Sequence, residues 1–273
     1  MLGECIENLR RRCPLVHNIT NVVAINDVAN VVLACGARPI MSDEPCDIQE
    51  ITSICDGLNI NIGMLKKYTA ESMLLAGKKQ KELGRPRVLD PVGVGASSFR
   101  KETVFNLIRE VGFTAIRGNI SEIKTLSMGT GNTTGVDADL ADQITEENLD
   151  QIIPFIKAFS GKVGAVIAVT GSIDLVCNKE VCYVIRNGRA EMGKITGTGC
   201  MLSGMLASYL AANPGNELEA AAAAVCTMGL AGEIAWSRMQ EGDGNASYRT
   251  KIIDAIYNMD GETLNKGANY ELR

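Results

Sequence analysis

The chain holds a single histidine, His17, among its 273 residues. A zinc site built on two or more histidines is therefore excluded within one chain. A Ser-His-Asp hydrolase would have to run through that one imidazole. Aromatic residues make up only 4%, too few for the stacking platforms of a single-strand binder. Basic residues number 27 against 32 acidic ones, a net charge of -5, so no overall positive field invites nucleic acid. An anionic substrate would have to be held by local features. The longest apolar run, residues 220–232, falls short of the roughly 20 residues a membrane span needs. The first residues, MLGECIENLRRRCPLV, carry no signal-peptide core. The nine cysteines include no C-x-x-C pair, and an odd count suggests reduced thiols, not a disulfide framework. Together these absences lead us to expect a soluble, cytoplasmic protein with no membrane and no nucleic-acid partner.

Glycine is plentiful, at 28 residues, and extra glycine often marks backbone that turns sharply or approaches a ligand. Short apolar runs alternate with longer amphipathic ones, and no linker or repeat interrupts residues 1–273. Strands are expected at 37–41, 57–62, 87–89, 113–116 and 163–169. Helices are expected at 21–35, 66–83, 101–111, 121–127 and 146–159, with Pro154 predicting a kink or a late start. Residues 175–177 and 181–185 predict a hairpin, and the last third is mostly helical. Such alternation predicts one α/β domain, a mostly parallel sheet with helices on both faces. Ligands in such folds sit at the carboxyl ends of the strands.

Several segments fall just after expected strands. Thr196-Gly197-Thr198-Gly199-Cys200 runs directly into an apolar helix, so its backbone N–H groups and helix dipole suit an anion such as a migrating phosphate. It fits neither G-x-x-x-x-G-K-[ST] nor G-x-G-x-x-G, and a tightly packed structural turn is the alternative. Cys200 stands at that helix start, where a thiol pKa tends to fall; a small inert thiol is the plainer reading. Asp90-Pro91-Val92-Gly93 places a carboxylate after a strand, either for chemistry or to cap a turn. Arg117-Gly118-Asn119-Ile120-Ser121-Glu122 offers an Arg for phosphate oxygens and a Glu near Mg²⁺, or a plain helix cap. Thr170-Gly171 closes a buried strand, as a turn or as a pocket wall. The segment Pro14–Asn21, with the lone His17, reads by itself as a surface turn from strand to helix.

Taken in order, PLVHNITN, DPVGVGA, RGNISEI, TTGVD, VTG and TGTGC resemble the hydroxyethylthiazole kinase family. The resemblance runs from about Pro14 to the C-terminal helices. It implies a ribokinase-like fold without a separate lid. It implies phosphorylation of 4-methyl-5-(2-hydroxyethyl)thiazole by ATP with Mg²⁺, in thiamine salvage, by a homotrimer whose active sites lie between subunits. Carried to this chain, Gly197 and Gly199 correspond to the turn that holds the phosphoryl group. Cys200 stands where most ribokinase-like kinases carry an Asp base. Asp90 and Glu122 correspond to acidic positions near Mg²⁺, and Arg117 and Thr170 to ATP contacts. Met41 and Gly197 correspond to thiazole contacts, with Asn21 expected to reach the ring from a neighbouring subunit's share of the pocket. Three alternatives stay open: a kinase of hydroxymethylpyrimidine or pyridoxal, a hydrate dehydratase of the same fold (which keeps an Asp where Cys200 stands), and a non-catalytic binding protein.

Overall fold

Alternation along the strands divides the core in two. In the computed structural model, which describes residues 1–129 and 143–273, six strands run parallel. They are β1 (Leu15–Ile19), β2 (Arg38–Met41), β3 (Gly57–Asn61), β4 (Arg87–Asp90), β5 (Ala115–Gly118) and β6 (Val166–Val169). An antiparallel extension follows: β7 (Asp174–Cys177), β8 (Cys182–Ile185) and β9 (Tyr270–Leu272). All nine belong to one sheet, in the order β2-β1-β3-β4-β5-β6-β7-β8-β9. Successive side chains of a strand point to opposite faces. Val88, Ala115, Val166 and Ala168 accordingly pack on one face, and Leu89, Ile116, Ile167 and Val169 on the other.

The first face is covered by α1 (Leu2–Arg12), α2 (Ile25–Cys35), α8 (Thr198–Ala212), α9 (Glu217–Ser237), α10 (Asn245–Asn258) and α11 (Gly261–Gly267). The second carries α3 (Ile48–Ile54), α4 (Lys67–Glu82), α5 (Ser98–Glu110), α6 (Ile120–Gly129) and α7 (Leu149–Val163). Helices α8 and α9 are apolar nearly all round because they pack on each other and on further elements. Among the described residues, α9 alone is long and apolar enough to cross a membrane, and 83% of its apolar window is buried in the protein core.

Three expectations change. The strand expected from Val163 begins at Val166. Gly164 (φ +67°) ends α7 in the left-handed region, its N–H bonded to Ser160 O at 2.8 Å, so Val163 stays helical. Helix α7 itself starts late, after a 3₁₀ turn at Glu146–Asn148, with Pro154 inside it. Pro14–Asn21 is no surface turn: β1 lies between β2 and β3, and His17 is fully buried. Finally, Cys177 and Cys182 face each other across the β7–β8 hairpin and are disulfide-bonded, while the other seven cysteines are free. The hairpin register brings these two thiols together, which cysteine spacing alone does not reveal.

Candidate active site

The parallel strands deliver their last residues to one edge. Asn61 ends β3, Asp90 ends β4, Arg117 and Gly118 end β5, and Thr170 follows β6. Register places Asn61 level with Asp90. This is the carboxyl edge where ligands of open α/β sheets bind. Above it the glycine turn enters α8. Gly197 takes φ +90° as the helix cap, and its carbonyl accepts the N–H of Met201 at 2.8 Å. The N–H groups of the first helical turn lack intrahelical partners and face outward as an anion site.

Asp90 is the centre of the polar network and is fully buried. Its Oδ2 accepts from Asn61 Nδ2 and from Ser203 Oγ, both at 2.7 Å, and lies 3.5 Å from Arg117 Nη1. Among the described residues its Oδ1 has no partner. Arg117 Nη2 donates to Thr170 Oγ1 at 2.7 Å, while its buried Nε also has no partner among the described residues. A buried carboxylate oxygen and a buried guanidinium N–H left open on two residues in contact are the groups a cation and a phosphate would satisfy. Burial raises the Asp90 pKa, as does the Glu122 charge; Arg117, Ser203 and Asn61 pull the other way. Glu122 accepts N–H bonds from Gly93 at 2.8 Å and Asn119 at 2.9 Å, and Asn119 Oδ1 in turn accepts from the Glu122 N–H at 2.8 Å. This capping box fixes α6 and ties it to the loop after Asp90.

Cys200 Sγ accepts from Asn21 Nδ2 and Asn61 Nδ2, both at 3.2 Å. Burial, and then the Asp90 charge, push its thiol pKa up; the two amides and Arg117 oppose this. The downward shift expected from the helix start is thus outweighed by desolvation and a nearby carboxylate.

Beside Arg117, Thr170 and Gly199 opens a cavity of about 730 Å³. Its inner wall is apolar, with Leu202, Val225 and Met228. Asp174 also lines it, accepting the Gly171 N–H at 2.8 Å. The residue as a whole is half-buried, yet its carboxyl is enclosed enough for desolvation to raise its pKa to about 7. A polar mouth beside an anion-binding turn, with an apolar inner wall, is the shape a nucleotide requires.

Residues 6–262 match the sequence profile of the hydroxyethylthiazole kinase family. The chain belongs to that family. It is 56% identical over 271 residues to the hydroxyethylthiazole kinase of Clostridium acetobutylicum, covering 99% of each chain. The fold matches the structure of a hydroxyethylthiazole kinase protein from Pyrococcus horikoshii with a TM-score of 0.88 and 29% identity, covering 100% of this chain and 98% of that one. A ribokinase-like superfamily protein of Enterococcus faecalis matches with a TM-score of 0.60 and 16% identity over 96% of this chain and 89% of that one, a likeness of fold alone. The fold is ribokinase-like and the chain is a kinase of this family.

Within this thiazole kinase family member, Asp90, Arg117, Thr170, Gly199, Cys200 and Asn21 form one run of contacts. Gly197 approaches the segment after Asn21, since a Cβ on it would stand 3.0 Å from Ala24 Cβ. Glu122 reaches the site through Gly93. Met41 ends β2 at the sheet edge, level with Asn18 of β1. One expectation is corrected: Asn21 bonds to Cys200 of its own chain, so these two are not contributed by different subunits. The motif Thr133–Asp137 lies outside the described residues. Asn61, Ser203 and Asp174 were missed. The signal for Asn61 was present: Asn59 and Asn61 interrupt an apolar strand that is buried along its whole length, and a buried asparagine must have partners.

Proposed function

We propose that this chain transfers the γ-phosphoryl group of ATP to the hydroxyl of 4-methyl-5-(2-hydroxyethyl)thiazole, the salvage step that supplies the thiazole half of thiamine. The observation that carries the reading is the pair of buried groups left open among the described residues, Asp90 Oδ1 and Arg117 Nε, with Arg117 and Gly199 lining a nucleotide-sized cavity. The whole of residues 1–273 acts as one kinase domain in the cytoplasm.

Arg117 and Thr170 hold the ATP phosphates, and the N–H groups at Gly197 and Gly199 receive the migrating phosphoryl group. The cation would be Mg²⁺, with Asp90 and Glu122 as the residues that would hold it. This suits an ion that keeps several waters and needs only one or two carboxylates beside the phosphates; no larger cluster of His, Cys, Asp or Glu occurs among the described residues. When bound, it offsets charge on the phosphate oxygens. Met41, Asn21 and Gly197 bound the thiazole. The substrate oxygen forms its bond to the γ-phosphorus as the bond to the β,γ-bridging oxygen breaks, ADP leaves, and the hydroxyl proton passes to Cys200 in its thiolate form, which becomes the neutral thiol. Phosphoryl transfer depends more on alignment and charge neutralisation than on a strong base, which suits a thiol in this position.

We further propose a homotrimer with active sites at subunit interfaces. Val22 and Val23, directly after Asn21, are 56% and 64% exposed, and Leu33 on α2 is 53% exposed. Exposed apolar side chains directly after Asn21 favour an interface there.

The test is ADP release with ATP and Mg²⁺ across a panel of alcohols. Turnover is expected with the thiazole alcohol. Robust turnover on hydroxymethylpyrimidine or pyridoxal with none on the thiazole would contradict the substrate assignment, and alcohol-independent dehydration of a nicotinamide hydrate would contradict the reaction class.

A further inference from the structure

We propose that Asn61 is a positioning residue for the phosphoryl transfer, its one side-chain amide presenting its two hydrogens to the two acidic groups of the reaction, Asp90 and Cys200. The inference rests on the kinase reading above and adds to it a residue and a mechanism of alignment.

Asn61 is the last residue of β3 and is fully buried. The orientation of its amide is fixed by its neighbours. Oδ1 accepts from the backbone N–H of Gly63 at 2.9 Å and from Asn21 Nδ2 at 3.1 Å. A backbone N–H can only donate, so Oδ1 must face it and Nδ2 must face the other way. That other side holds Asp90 Oδ2 at 2.7 Å and Cys200 Sγ at 3.2 Å. One planar amide thus spans from the end of β4 to the first turn of α8 and fixes the separation of the two groups.

The consequences differ at the two ends. Asp90 Oδ2 takes Asn61 and Ser203, which leaves Oδ1 as the open oxygen for a cation. Cys200 Sγ takes N–H bonds from Asn61 and from Asn21, two neutral groups that cannot accept a proton back from it. A sulfur held by two donors is presented as an acceptor, the role the substrate hydroxyl proton requires. The charged groups facing Cys200 are Asp90 of β4 and Arg117 of β5. Among the described residues, only the two amides donate hydrogen bonds to the sulfur, and only Asn61 donates to both acidic groups.

The decisive variant is Asn61→Asp. It keeps the shape of the side chain and an Oδ1 acceptor for Gly63 and Asn21, and it removes both N–H donors. Asn61→Leu serves as a neutral second variant should a carboxyl beside Asp90 prevent folding. With folding verified by melting, kcat for the thiazole alcohol is expected to fall about 100-fold, the lower range for a general acid–base contribution. In Asn61→Leu, which adds no charge beside Asp90, the KM for ATP should stay within about threefold, since Arg117 and Thr170 are untouched. In a Cys200→Ala background the same substitution should cost about tenfold or less, because part of its effect acts through that sulfur. A merely structural role would cost the same in both backgrounds.

Alkylation of Cys200 by iodoacetamide at pH 7.5 without substrates, resolved from exposed Cys13 and Cys46 by mass spectrometry, separates this inference from the kinase reading. It should slow about tenfold in either variant, because the thiolate is the nucleophile. Slowed alkylation in a chain with no thiazole turnover would leave the alignment standing and remove the kinase reading. Unchanged alkylation in a folded variant, or equal losses in both backgrounds, would overturn the role of Asn61.

Discussion

Arg117 occupies the space that any side chain on residue 199 would need. A Cβ on Gly199 would stand 2.7 Å from the Arg117 Cζ and 2.5 Å from Nη2. The glycine is therefore required by the arginine as much as by the turn. Gly199→Ala would push the guanidinium off Thr170 Oγ1, now 2.7 Å away, and off Asp90. We expect kcat/KM for ATP to fall on the order of 10²-fold, the scale of losing one preorganised donor. Melting temperature should move little, since the displaced atoms end a flexible side chain. Steady-state kinetics at varied ATP checks this; near-parent values would show that Arg117 does not hold phosphate.

Cys200 contributes a modest share. A general base is worth about 10²- to 10⁴-fold at most, so Cys200→Ala should slow turnover without abolishing it. Cys200→Asp should keep or raise activity, since the amides of Asn21 and Asn61 now at the sulfur can donate to a carboxylate equally well. Turnover of both variants at saturating ATP is the measurement. Complete loss in both, with a trapped covalent Cys200 adduct in the parent, would replace this mechanism with a nucleophilic one.

Asp174 sets a pH dependence of stability. Burial raises its pKa from the ordinary 3.8 to about 7 in the folded chain. The stability that the protonated form supplies is complete below the unfolded value and is lost as pH rises through 7. Asp174→Asn mimics that protonated form and can still accept the Gly171 N–H. The variant should melt with the parent at pH 4 and a few degrees above it at pH 8. Thermal melts across this range check the sign; an advantage at pH 4 that vanished at pH 8 would reverse it.

Much of this was written in the residues. The glycine turn, Asp90, Arg117 and Thr170 were legible because each follows a strand and each brings a residue type suited to phosphate. The central strands were legible because parallel strands buried on both faces form continuous apolar runs. Helix α1 is marked by the spacing of Leu2, Cys5, Ile6 and Leu9 on one buried face. What stayed hidden depends on tertiary register: the Cys177–Cys182 pairing, the burial of His17 between two strands, and the amide of Asn61. His17 illustrates why. Its ring nitrogens meet Thr52 Oγ1 at 3.1 Å and the Ser42 carbonyl at 3.0 Å, partners 35 and 25 residues away, which no local pattern names.

The proposed homotrimer is tested at the exposed Val22 and Val23 beside Asn21. Light scattering at micromolar concentration should give three chains per particle, because an interface that completes a site is expected to be large and apolar. Val23→Glu should dissociate it and lower turnover together. A fully active monomer would exclude a shared site.

The central claim is a phosphoryl transfer to a thiazole alcohol at the Asp90–Arg117–Cys200 edge. ³¹P NMR of the chain with ATP, Mg²⁺ and 4-methyl-5-(2-hydroxyethyl)thiazole tests it most directly. The account predicts a phosphomonoester signal that grows one-for-one with ADP and is absent in Asp90→Asn, a variant that retains acceptors for Asn61 and Ser203. ADP accompanied by free phosphate and no ester, or an ester formed equally well by Asp90→Asn, would contradict it.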